Sequence, residues 1–279
     1  MKGPLVSVIV PTRNNHETLD ACLSSIVQQT YQNSELLVVD NNSTDDTKTI
    51  ARRYTGKVSN RGPERSVQRN VGVRHAKGEY VLIIDSDMEL APDVVAACVD
   101  VVVRNPQAGG VIVAEESFGE GFWARCKQLE RSFYAGQDAI EAARFFAKDI
   151  FQQVGGYSEE MTGGEDWDIT KRVRAVAPIE RATSLIRHNE GKLYFGRTIR
   201  KMYYYAHHAN YYFAKNPTTS ALTDQSGPLA RYKLFLSRPT KLMRNPLLAA
   251  GMLLLKTAEY AGGGLGYWRA KRHADEERS

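Results

Sequence analysis

Four apolar runs divide the first 115 residues of the chain. They are rich in Val and Ile and hardly alternate with polar residues, which is typical of strands covered on both faces. Segments with helical spacing of apolar residues lie between them. The predicted strands are 5–11, 34–40, 79–85 and 109–114, and the predicted helices are 16–30, 46–54, 64–76 and 92–104. This alternation predicts an α/β fold with a Rossmann-like, mostly parallel sheet flanked by helices.

Short polar segments directly follow three of the predicted strands. They have the sequences "PTRN" at 11–14, "DNN" at 40–42 and "DSD" at 85–87. Ligands of open α/β sheets bind outside the carboxyl ends of the strands. We therefore expect the three segments to meet at one edge of the sheet and to form a binding site there.

The "DSD" segment places Asp85 and Asp87 directly after a buried strand. Two carboxylates about 4 Å apart repel each other by roughly 4 kcal/mol at an effective dielectric constant near 20. A hard divalent cation that takes carboxylate oxygens would offset this repulsion. The alternative is a strand end whose acids pair with nearby Lys or Arg.

The pattern changes after residue 115. A helix is predicted at about 121–135, and a second one from the acidic "GGEDWD" at 163–168 to about 176. A strand-like "IERATSLIRH" and an aromatic, basic helix at about 192–215 follow. Acids at the start of a helix interact favourably with its dipole, which would explain "GEDWD" without any further role.

Composition and charge narrow the class of partner. Thirty-seven Lys and Arg against 32 Asp and Glu give a formal charge of +5 and a pI near 9.0, which fits an anionic ligand or a membrane surface. No RNP-like or zinc-finger pattern is present, so nucleic acid is not the expected partner. The three cysteines are widely spaced and predict reduced thiols facing the cytosol. The first apolar run lacks the features of a signal peptide and is interpreted as a strand.

The C-terminal segment 216–279 has a composition of its own. Positions 231–245 carry five cations and no acid, and positions 246–268 are apolar but interrupted by Lys256, Glu259 and three consecutive glycines. A spanning helix needs about 20 mostly apolar residues, so an amphipathic helical extension lying on an anionic membrane surface is favoured. The alternative is a helical pair that packs on the main domain. The expected division of the chain is 1–115, 116–215 and 216–279.

The segments "VSVIVPTRN", "VDNNSTDDT", "RNVGVRHAKGEYVLIIDSDM" and "VGGYSEEMTGGEDWDITKR" resemble, in this order, the family 2 glycosyltransferases with the GT-A fold. The resemblance covers about residues 5–190. One segment alone is a weak signal, but the combination is specific. It implies transfer of a sugar from a nucleotide sugar to an acceptor hydroxyl with inversion, and the donor would be a UDP- or GDP-sugar.

The resemblance also implies a nucleotide-sugar site at the strand ends. Its residues would be Pro11, Thr12, Arg13, Asp40, Asn42, Arg69, Asn70, Asp85, Ser86 and Trp167. A carboxylate at position 40 can accept a hydrogen bond from a uracil N–H or a ribose hydroxyl, and the guanidinium of Arg69 suits phosphate. A salt bridge of Arg69 on the helix surface is the alternative.

Metal and catalytic roles follow from the same resemblance. Asp87 would bind Mn²⁺ or Mg²⁺ directly, Asp85 would hold the ribose or belong to the metal shell, and His188 would complete the metal site or contact the diphosphate. Asp166 would be the general base, and Glu165 would orient the acceptor or the helix. The metal would stabilise charge on the departing nucleotide. A purely structural role of His188 stays open.

Two absences in the sequence shape the functional hypothesis. Neither a "QxxRW" motif nor several membrane spans are present, which favours addition of one sugar over processive polymerisation. The expected acceptor is a lipid-linked or cell-envelope glycan, and the expected location is the cytoplasmic face of the cell membrane. The alternatives are a nucleotidyltransferase, whose first loop is usually rich in glycine whereas "PTRNNHET" has none, and a catalytically silent nucleotide-sugar-binding module.

Overall fold

The computed structural model describes residues 3–161, 163–208 and 227–276. The strands are β1 (Val6–Thr12), β2 (Ser34–Asp40), β3 (Val58–Asn60), β4 (Tyr80–Ile83), β5 (Met88–Leu90), β6 (Gly110–Glu120), β7 (Ala143–Ala147) and β8 (Ile179–Lys192). The helices are α1 (His16–Val27), α2 (Thr47–Tyr54), α3 (Arg65–His75), α4 (Val94–Arg104), α5 (Gly121–Ser132), α6 (Lys148–Gln153), α7 (Glu165–Arg174), α8 (Phe195–His208), α9 (Pro228–Leu236), α10 (Pro239–Met243) and α11 (Pro246–Glu276).

One mixed sheet has the strand order β3-β2-β1-β4-β7-β6-β8-β5. Strands β1 to β4 are parallel, as the continuous apolar runs of β1, β2 and β4 predict, and the short edge strand β3 was not predicted. Strand β7, which the sequence pattern did not indicate, pairs antiparallel with both β4 and β6. The fourth predicted strand, β6, therefore runs in the same direction as β4 without pairing with it.

Both faces of the sheet are covered by helices. Alternate residues of β1 point to opposite faces, so that Val8 belongs to the apolar cluster with α1, α2 and α4, and Ile9 belongs to the cluster with α3, α6 and α7. Helix α3 approaches β1 closely at Gly72, where a Cβ atom would lie 2.3 Å from Cγ2 of Ile9. The absence of a side chain at Gly72 thus lets α3 pack on the sheet next to the strand ends.

The chain forms two compact units. The first contains Met1–Glu115, Glu141–Glu159 and Glu165–Asn189, and the second contains Glu116–Ile140, Glu160–Gly164 and Glu190–Ser279. The division into three parts that the composition suggested stays a prediction. No helix in the described part of the chain has the length and apolar character needed to cross a membrane. The predicted helix at 192–215 is confirmed as α8 up to His208, and the rest of that prediction lies outside the described part.

The second unit is helical and has its own apolar core. Phe133, Phe235 and Met252 are buried there between α5, α9 and α11. The glycines that were expected to interrupt the C-terminal apolar segment lie inside α11, which continues through them. A Cβ atom at Gly266 would lie 2.3 Å from the carbonyl oxygen of Tyr203, so this glycine allows α8 to pack directly against α11.

Four charged side chains are buried between α5 and α11. Nζ of Lys127 lies 2.9 Å from carboxylate oxygens of both Glu130 and Glu259. Nζ of Lys256 lies 2.7 Å from Glu130 and 3.1 Å from Glu259, and the hydroxyl of Tyr134 donates to Glu130. Each cation contacts both anions, which compensates for the loss of hydration. Burial alone would raise the pKa of Glu130, but the charges of Lys127 and Lys256 outweigh it and hold that pKa well below its usual value.

We expect Glu130→Gln to lower the free energy of unfolding at neutral pH by about 3–5 kcal/mol, because two buried ammonium groups lose a shared anion. Because the pKa of Glu130 is lowered by folding, its contribution exists above the usual value of 4.5 and is lost as the pH falls below it. Urea unfolding at several pH values measures both effects. The exposed Glu17→Gln is the control. Equal stability of the two variants at neutral pH would contradict a stabilising role for these buried ion pairs.

Candidate active site

The strand ends bring buried polar groups together, as the sequence predicted. Thr12 at the end of β1 lies opposite Asp40 at the end of β2. Asp40 is fully buried, and its Oδ2 accepts a hydrogen bond of 2.8 Å from the backbone N–H of Ser43. Within the described structure, Asp40 Oδ1 and the hydroxyl of Thr12 are buried and have no hydrogen-bond partner. Buried polar atoms in this state are uncommon, and a bound ligand would satisfy them.

The loops after β1 and β2 hold each other in place. The backbone N–H of Asn14 donates to Ser43 Oγ at 2.8 Å, and the backbone N–H of Thr44 donates to Asn14 Oδ1 at 2.9 Å. Asn14 and Asn42 have φ angles of 45° and 52°, in the left-handed region that Asn tolerates better than most residues. These contacts fix the rim of the edge, where the side chains of Arg13 and Asn42 are exposed.

The guanidinium of Arg69 connects three carboxylates. Nη2 lies 2.6 Å from Asp85 Oδ1, and Nη1 lies 2.9 Å from Asp166 Oδ1 and 3.3 Å from Glu165 Oε1. The side chain has no exposed surface and stacks on Tyr157, 4.9 Å from the ring centroid. Arg69 is therefore in a salt bridge, as the alternative interpretation stated, but inside the protein. Its predicted contact with phosphate stays a prediction.

A second arginine completes the surroundings of Asp85. Nη1 of Arg144 lies 3.4 Å from Asp85 Oδ2, and its Nε donates to Glu115 at 2.6 Å. Burial alone would raise the pKa of Asp85, but the guanidinium groups of Arg69 and Arg144 outweigh it and hold the pKa well below its usual range. Asp85 is therefore an anion whose two oxygens both face arginines.

Asp87 is more open than Asp85. Its side chain is 43% exposed, and Oδ2 lies 3.4 Å from Nε2 of His188. The antiparallel pairing of Met88 with His188 between β5 and β8 produces this proximity. Nδ1 of His188 lies 3.7 Å from Glu115, which places the ring between two carboxylates.

The pair Asp87 and His188 fits part of a divalent metal site. One carboxylate oxygen and one imidazole nitrogen suit Mn²⁺, which completes its shell with water and phosphate oxygens. No group of three or more His, Cys, Asp or Glu in the described residues could hold a metal. The described residues thus offer two ligands for such an ion and not a preformed cage.

The remaining predicted residues have mixed surroundings. Both ends of the Asn70 amide are used inside the protein, because Nδ2 donates to the carbonyl of Tyr157 at 2.9 Å and Oδ1 accepts from its N–H at 2.9 Å. Asn15 donates to the hydroxyl of Ser86 at 2.7 Å. Trp167 is half-buried on the first turn of α7, and Pro11 is buried within β1. Their predicted contacts with a nucleotide sugar stay predictions.

Sequence reasoning missed Glu115 and Arg144. Glu115 follows an apolar run of β6, as Asp40 follows the run of β2, so the same rule could have found it. Arg144 lies at the start of the short strand β7, and nothing in "ARFFA" shows that its partners are Asp85, which follows β4, and Glu115 of β6. A buried cation in a strand can be predicted only when it is known which strands lie next to it.

Residues 7–153, slightly more than half of the chain, match the family model Glycosyl transferase family 2. The chain belongs to this family. Among curated relatives, glycosyltransferase AglE of Haloferax volcanii is 29% identical over 191 residues, which is 61% of this chain and 61% of AglE. A PGL/p-HBAD biosynthesis glycosyltransferase of Mycobacterium tuberculosis is 29% identical over 184 residues, 62% of this chain and 70% of that protein.

Solved structures share the fold. Mannosyltransferase PcManGT from Pyrobaculum calidifontis, in complex with GDP-Man and Mn²⁺, matches with a TM-score of 0.64 and 21% identity over 96% of this chain and 88% of that one. TarS 1–349 of S. aureus, in complex with UDP-GlcNAc, matches with a TM-score of 0.51 and 16% identity over 98% and 92%. This chain therefore has the GT-A fold that its sequence predicted.

The bridge made by Arg69 generates a stability prediction. Arg69→Lys should lower the free energy of unfolding by about 3–5 kcal/mol, because one ammonium group cannot reach Asp85 and Asp166 in the way that a planar guanidinium does. Arg74→Lys, on the same helix but with a side chain that is 60% exposed, should change it by less than about 0.5 kcal/mol. Urea unfolding compares them. Similar stability of both variants would contradict a central role for Arg69.

Proposed function

We propose that the chain transfers one sugar from a UDP- or GDP-sugar to a hydroxyl group of a glycan acceptor, with inversion. The observation that carries the proposal is the combination of unpartnered buried oxygens at the strand ends with two partly exposed carboxylates, Asp87 and Asp166. The unpartnered oxygens suit a nucleoside. The two carboxylates can act on opposite sides of the bond between the sugar and the diphosphate, which breaks in the reaction. Family membership supports the reaction class.

The donor's nucleoside would bind at the ends of β1 and β2. Asp40 Oδ1 can accept a hydrogen bond from a base N–H or a ribose hydroxyl, and the hydroxyl of Thr12 can donate or accept. The exposed Arg13 is available for phosphate at the same rim. The structural neighbours were solved with GDP-Man and with UDP-GlcNAc, which supports a donor of this class without choosing its base.

Asp166 would act as the general base. Its carboxylate is 26% exposed at the start of α7, and its Oδ1 lies 2.9 Å from Nη1 of Arg69, which holds the carboxylate in place. The acceptor oxygen forms a bond to the anomeric carbon while the bond from that carbon to the diphosphate oxygen breaks, and the acceptor proton moves to Asp166. Attack opposite the leaving group inverts the anomeric centre. Glu165, buried beside Arg69, holds the start of the helix in position.

Asp87 and His188 would hold a divalent cation, Mn²⁺ or Mg²⁺, together with the donor's diphosphate. When bound, such an ion stabilises negative charge on the departing nucleoside diphosphate. Asp85 would remain outside direct coordination, because Arg69 and Arg144 already engage both of its oxygens. Its charge would instead keep the two arginines in place beside the diphosphate site.

The acceptor is proposed to be a lipid-linked or cell-envelope glycan reached from the cytoplasmic face of the membrane. The basic and apolar helices of the second unit support this location. The protein is incubated with a radiolabelled nucleotide sugar and a lipid extract from membranes of the organism that produces it. Label should then appear in the organic phase. Label that stays entirely in the aqueous phase would contradict a lipid-linked acceptor.

The two alternative functions are less well supported. A nucleotidyltransferase is disfavoured by the family match, which covers the strand ends and Asp85 to Asp87. A catalytically silent binding module would not need a partly exposed carboxylate at Asp166 in contact with a buried arginine. Turnover of a donor separates the silent module from an enzyme.

Asp166→Asn should lower the rate of donor turnover about 10²–10⁴-fold, because the amide cannot accept the acceptor's proton. Slow transfer of the sugar to water, followed as release of nucleoside diphosphate, serves as the assay when the acceptor is unidentified. Asp149→Asn, an exposed carboxylate on α6, is the control and should retain the wild-type rate. Unchanged turnover in Asp166→Asn would remove Asp166 from the mechanism. Nucleotide affinity, measured in parallel, separates a catalytic defect from a folding defect.

Asp40→Asn should weaken the binding of a nucleoside diphosphate by about 10–100-fold, because a hydrogen bond to a charged acceptor is replaced by one to a neutral amide. Fluorescence or calorimetric titration measures the affinity. Asp46→Asn, which alters an exposed carboxylate after the same strand, is the matched control and should bind like the wild type. Equal affinity of the two variants would place the nucleoside elsewhere.

A further inference from the structure

Large apolar side chains are exposed along α9, α10 and the start of α11. Leu229, Leu236, Met243 and Leu247 have 86%, 67%, 76% and 70% of their surface exposed. We call this set, together with the exposed cations Lys233 and Arg244, the basic-apolar face. Single exposed apolar residues are normal on proteins, but four in so short a segment, interleaved with cations, indicate an interaction surface.

Helix α9 has an inverted distribution of polarity. Leu229 and Leu236 are separated by about two helical turns and therefore lie on the same side of the helix, which is exposed. The opposite side buries Phe235 and, with it, Arg231, whose guanidinium stacks 4.5 Å from the ring centroid of Tyr134. On an ordinary surface helix, whose outer side faces water, the arginine would be exposed and the leucines would be buried.

Helix α11 continues the exposed apolar character. Leu254 and Leu265 follow Leu247 at spacings of about two and about five helical turns, and they are 57% and 52% exposed. Trp268 is 52% exposed near the end of the same helix. The hydroxyl of Tyr232 on α9 lies 2.6 Å from Oγ1 of the exposed Thr257, so α9 borders this stripe. Apolar side chains therefore continue on the exposed side of α11.

The five cations of positions 231–245 do not share one face. Arg231 is buried, and the ammonium group of Lys241 donates to the carbonyl of Ser132 at 2.7 Å. Lys233 and Arg244 are exposed, and Arg269, Lys271 and Arg272 add exposed cations near the end of α11. From position 227 to position 272 the sequence contains nine Lys and Arg and one acid, Glu259, which is buried.

We propose that the basic-apolar face lies on an anionic lipid surface. Apolar side chains that enter the acyl boundary, cations that remain among the headgroups and an aromatic residue at the interface are the features of monotopic helices. Charge selects between the occupants of the surface. A second copy of the chain would bring two strongly basic segments together, whereas an anionic bilayer neutralises them. The proposal deepens the membrane location in the proposed function and does not depend on the transfer reaction.

Co-sedimentation of the full chain with vesicles tests the proposal. The wild type should bind vesicles of phosphatidylcholine mixed with phosphatidylglycerol and should bind pure phosphatidylcholine much less. Neutralising two exposed cations in Lys233→Gln/Arg244→Gln should weaken the partition by roughly 25-fold, since each cation near an anionic surface contributes about fivefold. The exposed cations Arg52 and Lys77 of the first unit supply the matched control Arg52→Gln/Lys77→Gln, which should bind like the wild type.

A second pair of variants tests the apolar part. Leu229→Ser/Leu236→Ser/Met243→Ser should weaken the partition by at least about tenfold. The control Val27→Ser/Val103→Ser/Val176→Ser changes residues that are 50%, 62% and 50% exposed in the first unit, and it should have no effect. Nucleoside diphosphate binding checks that each variant is folded, and its retention shows that a loss of lipid binding leaves the donor site intact.

Three results would overturn the proposal. The first is no sedimentation of the wild type with either type of vesicle, and the second is an equal loss in the surface variants and their controls. The third is a wild-type dimer by light scattering that the Leu229→Ser/Leu236→Ser/Met243→Ser variant converts into a monomer, without any binding to vesicles. This last result would assign the face to a second copy of the chain.

Discussion

The ion pairs of Arg69 are the constraint on which the candidate site depends. One buried guanidinium contacts Asp85, which follows β4, and Asp166, on the first turn of α7, so two segments that are distant in the sequence meet at one cation. An unpaired arginine would be very costly at this depth, and three carboxylates around a planar group compensate for its lost hydration. Gly72, one turn further along α3, lets the helix pack closely enough on β1 to place the arginine there.

This arrangement gives the acids of the site different properties. Asp85 is surrounded by arginines and is a fixed anion, whereas Asp87 is open and faces His188. Asp166 contacts Arg69 but keeps exposed surface. Glu165, in contrast, has its pKa raised by burial and by the neighbouring charge of Asp166. The proposed reaction, with a diphosphate held at one end of the site and a proton accepted at the other, would require such separate environments.

The sequence predicted the strands and helices of the first unit better than it predicted which strands pair. Continuous apolar runs identify β1, β2, β4 and β6, because strands covered on both faces show little alternation. The polar residues after the first two runs lie together as expected. The short strand β7 carries no such signal, and its place between β4 and β6 depends on long-range pairing. Arg144 was missed for that reason.

The sequence also did not reveal in which direction the long side chains point. The sequence shows that Arg69 lies on a helix and that five cations lie within 231–245, but it does not show which of them turn inward. The structure buries Arg69 among acids and buries Arg231 against an aromatic ring. It also uses the amide of Asn70 to hold the segment at Tyr157. Such choices are set by neighbours that are distant in the chain.

Calorimetric titration of UDP and GDP, with and without Mn²⁺, into the wild type and Asp87→Ala tests the central claim most directly. We expect one nucleotide to bind the wild type tightly only with Mn²⁺, and Asp87→Ala to lose the metal-dependent part of the affinity while remaining folded. Binding of equal strength in both proteins, independent of Mn²⁺, would contradict the assignment of Asp87 and His188 to a shared metal and diphosphate site.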